Sequence, residues 1–382
     1  MEKLGNMIVT DLVRNYYKNT RGLAPDKVEE REFGFGTFDE RVAFRHVAFK
    51  NTGELEKYLA ENAPLYADYS AAYYRFPDAR PMEKKSWLGS ELRFDIDSTD
   101  LQTPCKAEHG NGWICERCLD AVKEETLKLI GKFLIEDLGF EEKEIEINFS
   151  GNRGYHVHVL RQSVMGLNAN ARNEISDYIK GNGLDLKDLF PELEARGGLI
   201  GPSLKDKGWR YKIAHGFARM LDDEDELVKN GFEKRVARKF KNSKALVEMG
   251  LKNGNWDMMR IPKKMEVIPQ VVHSIVDKTS VKIDDNVTKD PSHLMRLPNS
   301  INGSSGLIAL KIQSIKALEK FDPMREAVAF RHGKLKVIAG SKHKLAIDGQ
   351  EFGPFDNKAA TLPTAAAVYL YLKGLANIID TA

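Results

Sequence analysis

Apolar and charged residues alternate through Glu91-Leu92-Arg93-Phe94-Asp95-Ile96-Asp97, and that period of two predicts a strand. Leu92, Phe94 and Ile96 fall on its buried face. Residues 144–149 alternate in the same way and run into a tight turn, Ser150-Gly151-Asn152-Arg153-Gly154. The chain leaves that turn as a second strand, residues 155–159, with His156 and His158 on one face and Val157 and Val159 on the other. Helical spacing takes over at Leu119, Val122, Leu127, Ile130, Leu134 and Leu138, and Gly139 predicts its stop. The first 90 residues read as a helical opening followed by aromatic-rich strands, with a hairpin expected from 30–36 and 41–47. From 165 to 250 strand-like alternation almost disappears, polar helix-forming stretches dominate, and Gly197-Gly198 and Gly201-Pro202 act as breaks. Alternation returns at 281–284 and 334–338, and a final helix is expected after Pro363. The pattern predicts an α/β fold: a mixed sheet built by 1–164 and 251–382, with 165–250 an inserted helical subdomain.

Composition narrows the class. A 42% hydrophobic content over 382 residues is ample for a real core. No run of about 18 apolar residues exists, so no membrane span is expected. Met1-Glu2-Lys3-Leu4-Gly5-Asn6 lacks the basic-then-apolar pattern of a signal peptide, which makes a cytosolic protein the expectation. The net charge of +2 argues neither for nor against nucleic acid. The basic run Glu233 to Lys241 fits a solvated helix face as well as a nucleic-acid contact.

The alternating strand has a second face. Asp95 and Asp97 share it, roughly 7 Å apart along the chain. Two carboxylates that close repel each other, and a hard cation such as Mg²⁺ or Mn²⁺ relieves the repulsion. A solvated strand face shows the same pattern, so neighbouring residues decide. All three cysteines of the chain, Cys105, Cys115 and Cys118, lie within fourteen residues, and His109 completes a C-x3-H-x5-C-x2-C set. Three thiols cannot pair off as disulfides, whereas this spacing suits a closed tetrahedral Zn²⁺ with no open position. A zinc knuckle over 105–118 with a structural role is therefore expected. The Ser150–Gly154 turn adds glycines that let backbone N–H groups approach a phosphate, and Arg153 adds a forked donor set. Paired carboxylates beside a phosphate clamp suit nucleotidyl transfer.

In order and spacing, Phe94-Asp95-Ile96-Asp97, then Cys105/His109/Cys115/Cys118, then Phe149-Ser150-Gly151-Asn152-Arg153-Gly154-Tyr155-His156-Val157-His158 resemble the archaeal and eukaryotic primase small, catalytic subunit. Further matches lie at Arg31-Glu32-Phe33, at Asp68 through Tyr73, and at His293-Leu294-Met295-Arg296-Leu297-Pro298-Asn299-Ser300. The resemblance implies template-directed synthesis of short primers from nucleoside triphosphates on single-stranded DNA. It implies two Mg²⁺ or Mn²⁺ ions held by Asp95, Asp97 and a third carboxylate on a strand before the serine segment. Asp284 and Asp285 compete for that third role, and the family spacing and local alternation favour Asp284. It also implies that Ser150, Arg153 and His156 hold the triphosphate with help from Arg296, and that Arg45 and Asp68 lie near the initiating nucleotide or the sugar.

Two departures stand out. Asn302 occupies the place of a family histidine that contacts nucleotide phosphates, and Asn152 stands where eukaryotic members carry a second arginine. An asparagine can donate a hydrogen bond but carries no charge, so weaker triphosphate binding is expected unless a nearby Lys or Arg compensates. The family works with a large iron–sulfur subunit, which implies a heterodimer and a nucleoid-associated place in the cytoplasm. A repair or translesion primase-polymerase of the same superfamily is the alternative among enzymes, and a non-catalytic zinc-containing nucleic-acid binder the alternative outside them.

Overall fold

In the computed structural model, which describes residues 2–191, 193 and 198–381, the chain separates into two compact units. One comprises Met1–Gly131, Gly139–Asn173 and Lys282–Ala382; the other comprises Lys132–Leu138 and Glu174–Val281. The expected insert, 165–250, overlaps the second unit. Gly197, one of the expected breaks, lies outside the described residues.

The first unit is mixed α/β, and its strands β1 (Phe33–Gly36), β2 (Phe44–Val47), β3 (Tyr66–Ser70), β4 (Leu92–Asp97), β5 (Ile145–Phe149), β6 (Gly154–Val159), β7 (Leu294–Arg296) and β8 (Lys311–Ile312) make two four-stranded sheets. The first sheet runs β2-β1-β3-β7 and the second β8-β5-β6-β4. The expected N-terminal hairpin exists as β1 and β2, shorter than its sequence runs. The β5–β6 hairpin forms as its alternation predicts, with Ile147 opposite Val157 and Asn148 opposite His156.

Alternation explains the layering of the second sheet. Leu92, Phe94, Ile96, Ile147, Val157 and Val159 are buried on one face, where the helix Glu116–Lys128 brings Cys118, Leu119 and Val122. Each large apolar side chain so buried contributes roughly 1.5–3 kcal/mol. The opposite face carries Glu91, Arg93, Asp95, Asp97, Glu146, Asn148, His156 and His158, and it meets the first sheet. Tyr69 of β3 lies within 3.4 Å of His158 Nδ1, and Arg93 donates to the carbonyls of Tyr69 and Ser70. The polar layer between the sheets is therefore the setting of the candidate chemistry.

Around this core, the N-terminal helix Glu2–Asn19 buries Gly5, Val9, Val13 and Tyr17 at helical spacing. A three-stranded sheet, β9 (Lys334–Ser341), β10 (Phe355–Pro363) and β11 (Ala376–Thr381), runs β10-β9-β11 and packs with the helix Thr364–Leu372. That helix is buried over residues 364–370, and it begins after Pro363 as expected.

Two expectations are corrected. Residues 281–284 form no strand: Asp284 is the N-cap of a short helix, Asp285–Lys289, and its Oδ1 accepts from Asn286 N at 2.9 Å. Asp-Asp-Asn competes for backbone donors and favours a cap over a ladder. The helix from Glu116 also changes character, becoming π-helical over Leu129–Ile135 before Gly139 ends it at φ +68°.

In the second unit, Phe190, Phe217, Phe232, Phe240 and Trp256 form an aromatic core between helices, with Phe217 and Trp256 stacked at 4.9 Å. The basic run becomes the helix Lys234–Asn242, which buries Ala237 and Phe240 and exposes its lysines and arginines. Among the described residues no helix is long and apolar enough to cross a membrane.

Candidate functional site

Asp95 lies opposite His156 and Asp97 opposite Gly154 in the β4–β6 ladder, so the carboxylate pair sits directly beside the Ser150–Gly154 turn. Gly151 takes φ +77° there, and a Cβ on it would stand 2.8 Å from the Cβ of Asn302. A Cβ on Gly154 would meet Ile96 O at 2.2 Å. Both positions therefore require glycine. Ser150 closes the turn: its N–H donates to Gly154 O, and its hydroxyl accepts from Gly154 N at 3.2 Å.

Asp284 joins the pair from outside the sheet. Its N–H donates to Asp95 O at 3.1 Å. Burial, then the charges of Asp97 and Asp284, push the Asp95 carboxyl up to about 7. Burial and the same two aspartates also raise Asp100, a fourth carboxylate that the sequence pattern does not single out. Arg153 partly offsets this negative field, with its Nε 2.7 Å from Asp97 Oδ2. Asp97 Oδ1 accepts from the N–H and hydroxyl of Thr99. His156 Nε2 is 3.8 Å from Asp95 Oδ1. Burial, followed by His158, Arg296, Arg93 and Arg41, holds His156 far below the usual imidazole range, so it is neutral at pH 7.

Asp68 and Arg296 face each other across the β3–β7 register, 3.2 Å apart and both about 2% exposed. Arg296 Nε and Nη1 and Asp68 Oδ1 make no hydrogen bond, so the pair is held by charge alone. Two tyrosines of the N-terminal helix anchor the loop that follows: Tyr16 donates to Asn299 O at 2.8 Å, and Tyr17 OH accepts from Ile301 N at 3.2 Å.

Not every expected residue arrives as a free phosphate donor. Asn302 is buried; its Nδ2 donates to Ser150 O at 2.8 Å and its Oδ1 accepts from Ser304 N at 2.9 Å. It ties two loops together. Arg45 is held by Glu32 at 2.8 Å and by Ser292 O at 2.9 Å. It is Arg41, in the turn between β1 and β2, whose charge reaches Asp95, His156 and Arg296. Lys373, just past the helix Thr364–Leu372, donates to Asn152 Oδ1 at 2.7 Å. Arg41, Asp100 and Lys373 were missed because none belongs to the alternating pattern: Arg41 sits among other charges in a turn, Asp100 ends the short 3-10 turn after Asp97, and Lys373 caps a distant helix.

The cysteine cluster is compact. Sγ of Cys118 lies 3.4 Å from Cys105 Sγ, 3.7 Å from Cys115 Sγ and 3.6 Å from His109 Nε2. A tetrahedron of ~2.3 Å Zn–S bonds has edges of about 3.8 Å. His109 Nδ1 is engaged with Gly110 O, which leaves Nε2 for the metal. Burial pushes the Cys105 thiol up, but bonds from Thr103, Cys118, His109 and Cys115 outweigh it and bring it down to about 6. The donor set fits zinc. Its four ligand atoms all lie within 4.8 Å of one another.

Comparison with known proteins gives the following matches. Residues 94–313, more than half of the chain, match the family model of the DNA primase small subunit. The chain is 35% identical over 390 residues to the DNA primase small subunit of Methanothrix thermoacetophila, covering 96% of each chain. It is 34% identical over 387 residues to that of Methanococcoides burtonii, covering 95% of this chain and 96% of the relative. It is 33% identical over 376 residues to that of Pyrobaculum calidifontis, covering 98% and 100%.

Proposed function

The chain belongs to the DNA primase small subunit family, and on that premise we propose that it synthesises short primers from nucleoside triphosphates on single-stranded DNA. The observation that carries this reading is the Asp95, Asp97 and Asp284 group beside the Ser150–Gly154 turn. A site that raises Asp95 to about 7 holds unneutralised negative charge, and hard divalent cations are what such a site attracts.

Asp95, Asp97 and Asp284 would hold two Mg²⁺ or Mn²⁺ ions. Such ions lower the pKa of an attacking 3′-hydroxyl and neutralise a leaving pyrophosphate. The chain's own residues supply the rest. Arg153, paired with Asp97, would offer the same fork to a phosphate oxygen, because a guanidinium serves either anion. His156 donates to phosphate as a neutral imidazole. Ser150 and Asn302 fix the shape of the turn beneath it, and Arg296, braced by Asp68, supplies a buried cation on the opposite sheet. Cys105, His109, Cys115 and Cys118 hold a structural zinc. As in the family, the chain works with a large iron–sulfur subunit, and its own cysteines are spent on zinc.

The test is incorporation of labelled NTP on a single-stranded template in metal-depleted buffer, with Mg²⁺ or Mn²⁺ added back. Metal-dependent extension by the wild type, abolished in Asp95→Ala and Asp97→Ala, is the expected result. Wild-type-like extension by either variant would overturn the reading.

A further inference from the structure

The Ser150–Gly154 turn has two cations beside it, and they are held differently. Arg153 is paired with the carboxylate of Asp97. Lys373 has no carboxylate partner among the described residues; its ammonium donates to the neutral amide oxygen of Asn152 at 2.7 Å and lies 5.3 Å from the Tyr369 ring. The helix before it is buried over residues 364–370, so the lysine is presented from a fixed platform. A half-buried ammonium facing only an amide and a ring is poorly compensated, since a dipole returns little of what a lost counter-charge costs. Burial and then the charge of Arg153 bring Lys373 down to about 8, against the opposing pull of Asp97. It is still protonated at neutral pH. An anion at the turn would supply the missing partner.

Asn302 and Asn152 do not fill that role. The polar atoms of Asn302 are both spent on backbone groups, and Asn152 presents its oxygen to Lys373.

We propose that Lys373 is a phosphate-binding residue for the incoming nucleoside triphosphate, reaching the turn from the C-terminal segment and supplying charge that neither asparagine provides. The proposal rests on the nucleotide-binding reading of this turn. On binding, the ammonium exchanges the amide oxygen of Asn152 for a phosphate oxygen, while Arg153 takes the other side.

The test compares ATP and AMP affinity, in the presence of Mg²⁺, for the full-length wild type and for K373M, K373Q, K373R, N152A and R153A, with melting temperatures measured alongside. The two neutral variants should weaken ATP binding about tenfold and AMP binding by less than about twofold. K373R should recover most of the ATP affinity, and N152A should lose less than either neutral variant. If R153A loses ATP affinity while K373M and K373Q bind ATP like the wild type, the Lys373 assignment is overturned and the reading of the turn survives. Equal losses for ATP and AMP, with a lowered melting temperature, would make Lys373 a structural tether and also overturn it. Should the wild type not bind ATP, or R153A bind it unchanged, the reading of the turn itself fails, and the proposal with it.

Discussion

Glu91 just before β4 and Arg93 near its start lie on the same side as Asp95 and Asp97 at its end, yet their charges are handled in opposite ways. Glu91 accepts from Arg31, from Tyr73 at 3.0 Å and from Arg93 at 2.9 Å, and lies 3.1 Å from His158 Nδ1. Burial would raise this carboxyl, but Arg93, Arg31 and His158 outweigh it and hold it far below the usual range. Asp95, four residues on, is pushed up by burial and then by two more aspartates. The first cluster is closed and complete within the fold. The second is repulsive, and on the reading proposed above a divalent cation would complete it. A buried polar layer can thus be rigid at one end and primed for a ligand at the other.

The comparison breaks most visibly at Glu91. Glu91→Gln leaves Arg31, Arg93 and His158 buried with half their compensation, and should cost about 3–5 kcal/mol in urea unfolding. A loss under 1 kcal/mol would mean that water enters this cluster.

Asp95→Asn should act with the opposite sign. A carboxyl raised from 3.8 to about 7 binds protons more tightly folded than unfolded, so stability falls as pH rises between those values. Without added divalent cation, Asp95→Asn should therefore gain on the order of 1–3 kcal/mol at pH 8. The gain should vanish below pH 4, whereas Glu91 contributes above its ordinary 4.5 and its stabilisation is lost as acid is added. Unfolding curves at pH 4, 6 and 8 check both signs.

Cys115→Ser should release zinc and lower the melting temperature, because a closed zinc site contributes folding free energy directly. Zinc-free protein of unchanged stability would contradict this. The smallest effect is expected at Asn302. Its side chain joins Ser150 to Ser304, so Asn302→Ala should weaken NTP binding by about 1 kcal/mol. A loss as large as that of Arg153→Ala would give Asn302 a direct phosphate contact.

Much of this layer is legible in sequence, for a physical reason. β4, β5 and β6 alternate because one face is apolar core and the other a polar cleft, and period two records that division residue by residue. The cysteine spacing is local and records its own geometry. What could not be read depends on distant parts of the chain meeting. Lys373 follows an apolar helix with no polar pattern, Arg41 is one of three successive charges in a turn, and Tyr16 and Tyr17 look like ordinary members of an amphipathic helix. Residues 281–284 failed for a different reason: four alternating residues cannot outweigh the capping preference of Asp284.

The central claim is that the far end of β4 is a two-ion site. Mn²⁺ titration followed by electron paramagnetic resonance, with a non-hydrolysable NTP present, tests it most directly. Two tightly bound Mn²⁺ per wild-type chain, and fewer in Asp95→Asn, Asp97→Asn and Asp284→Asn, is the predicted result. Wild-type protein that binds no Mn²⁺, or aspartate variants that bind as many ions as the wild type, would contradict it.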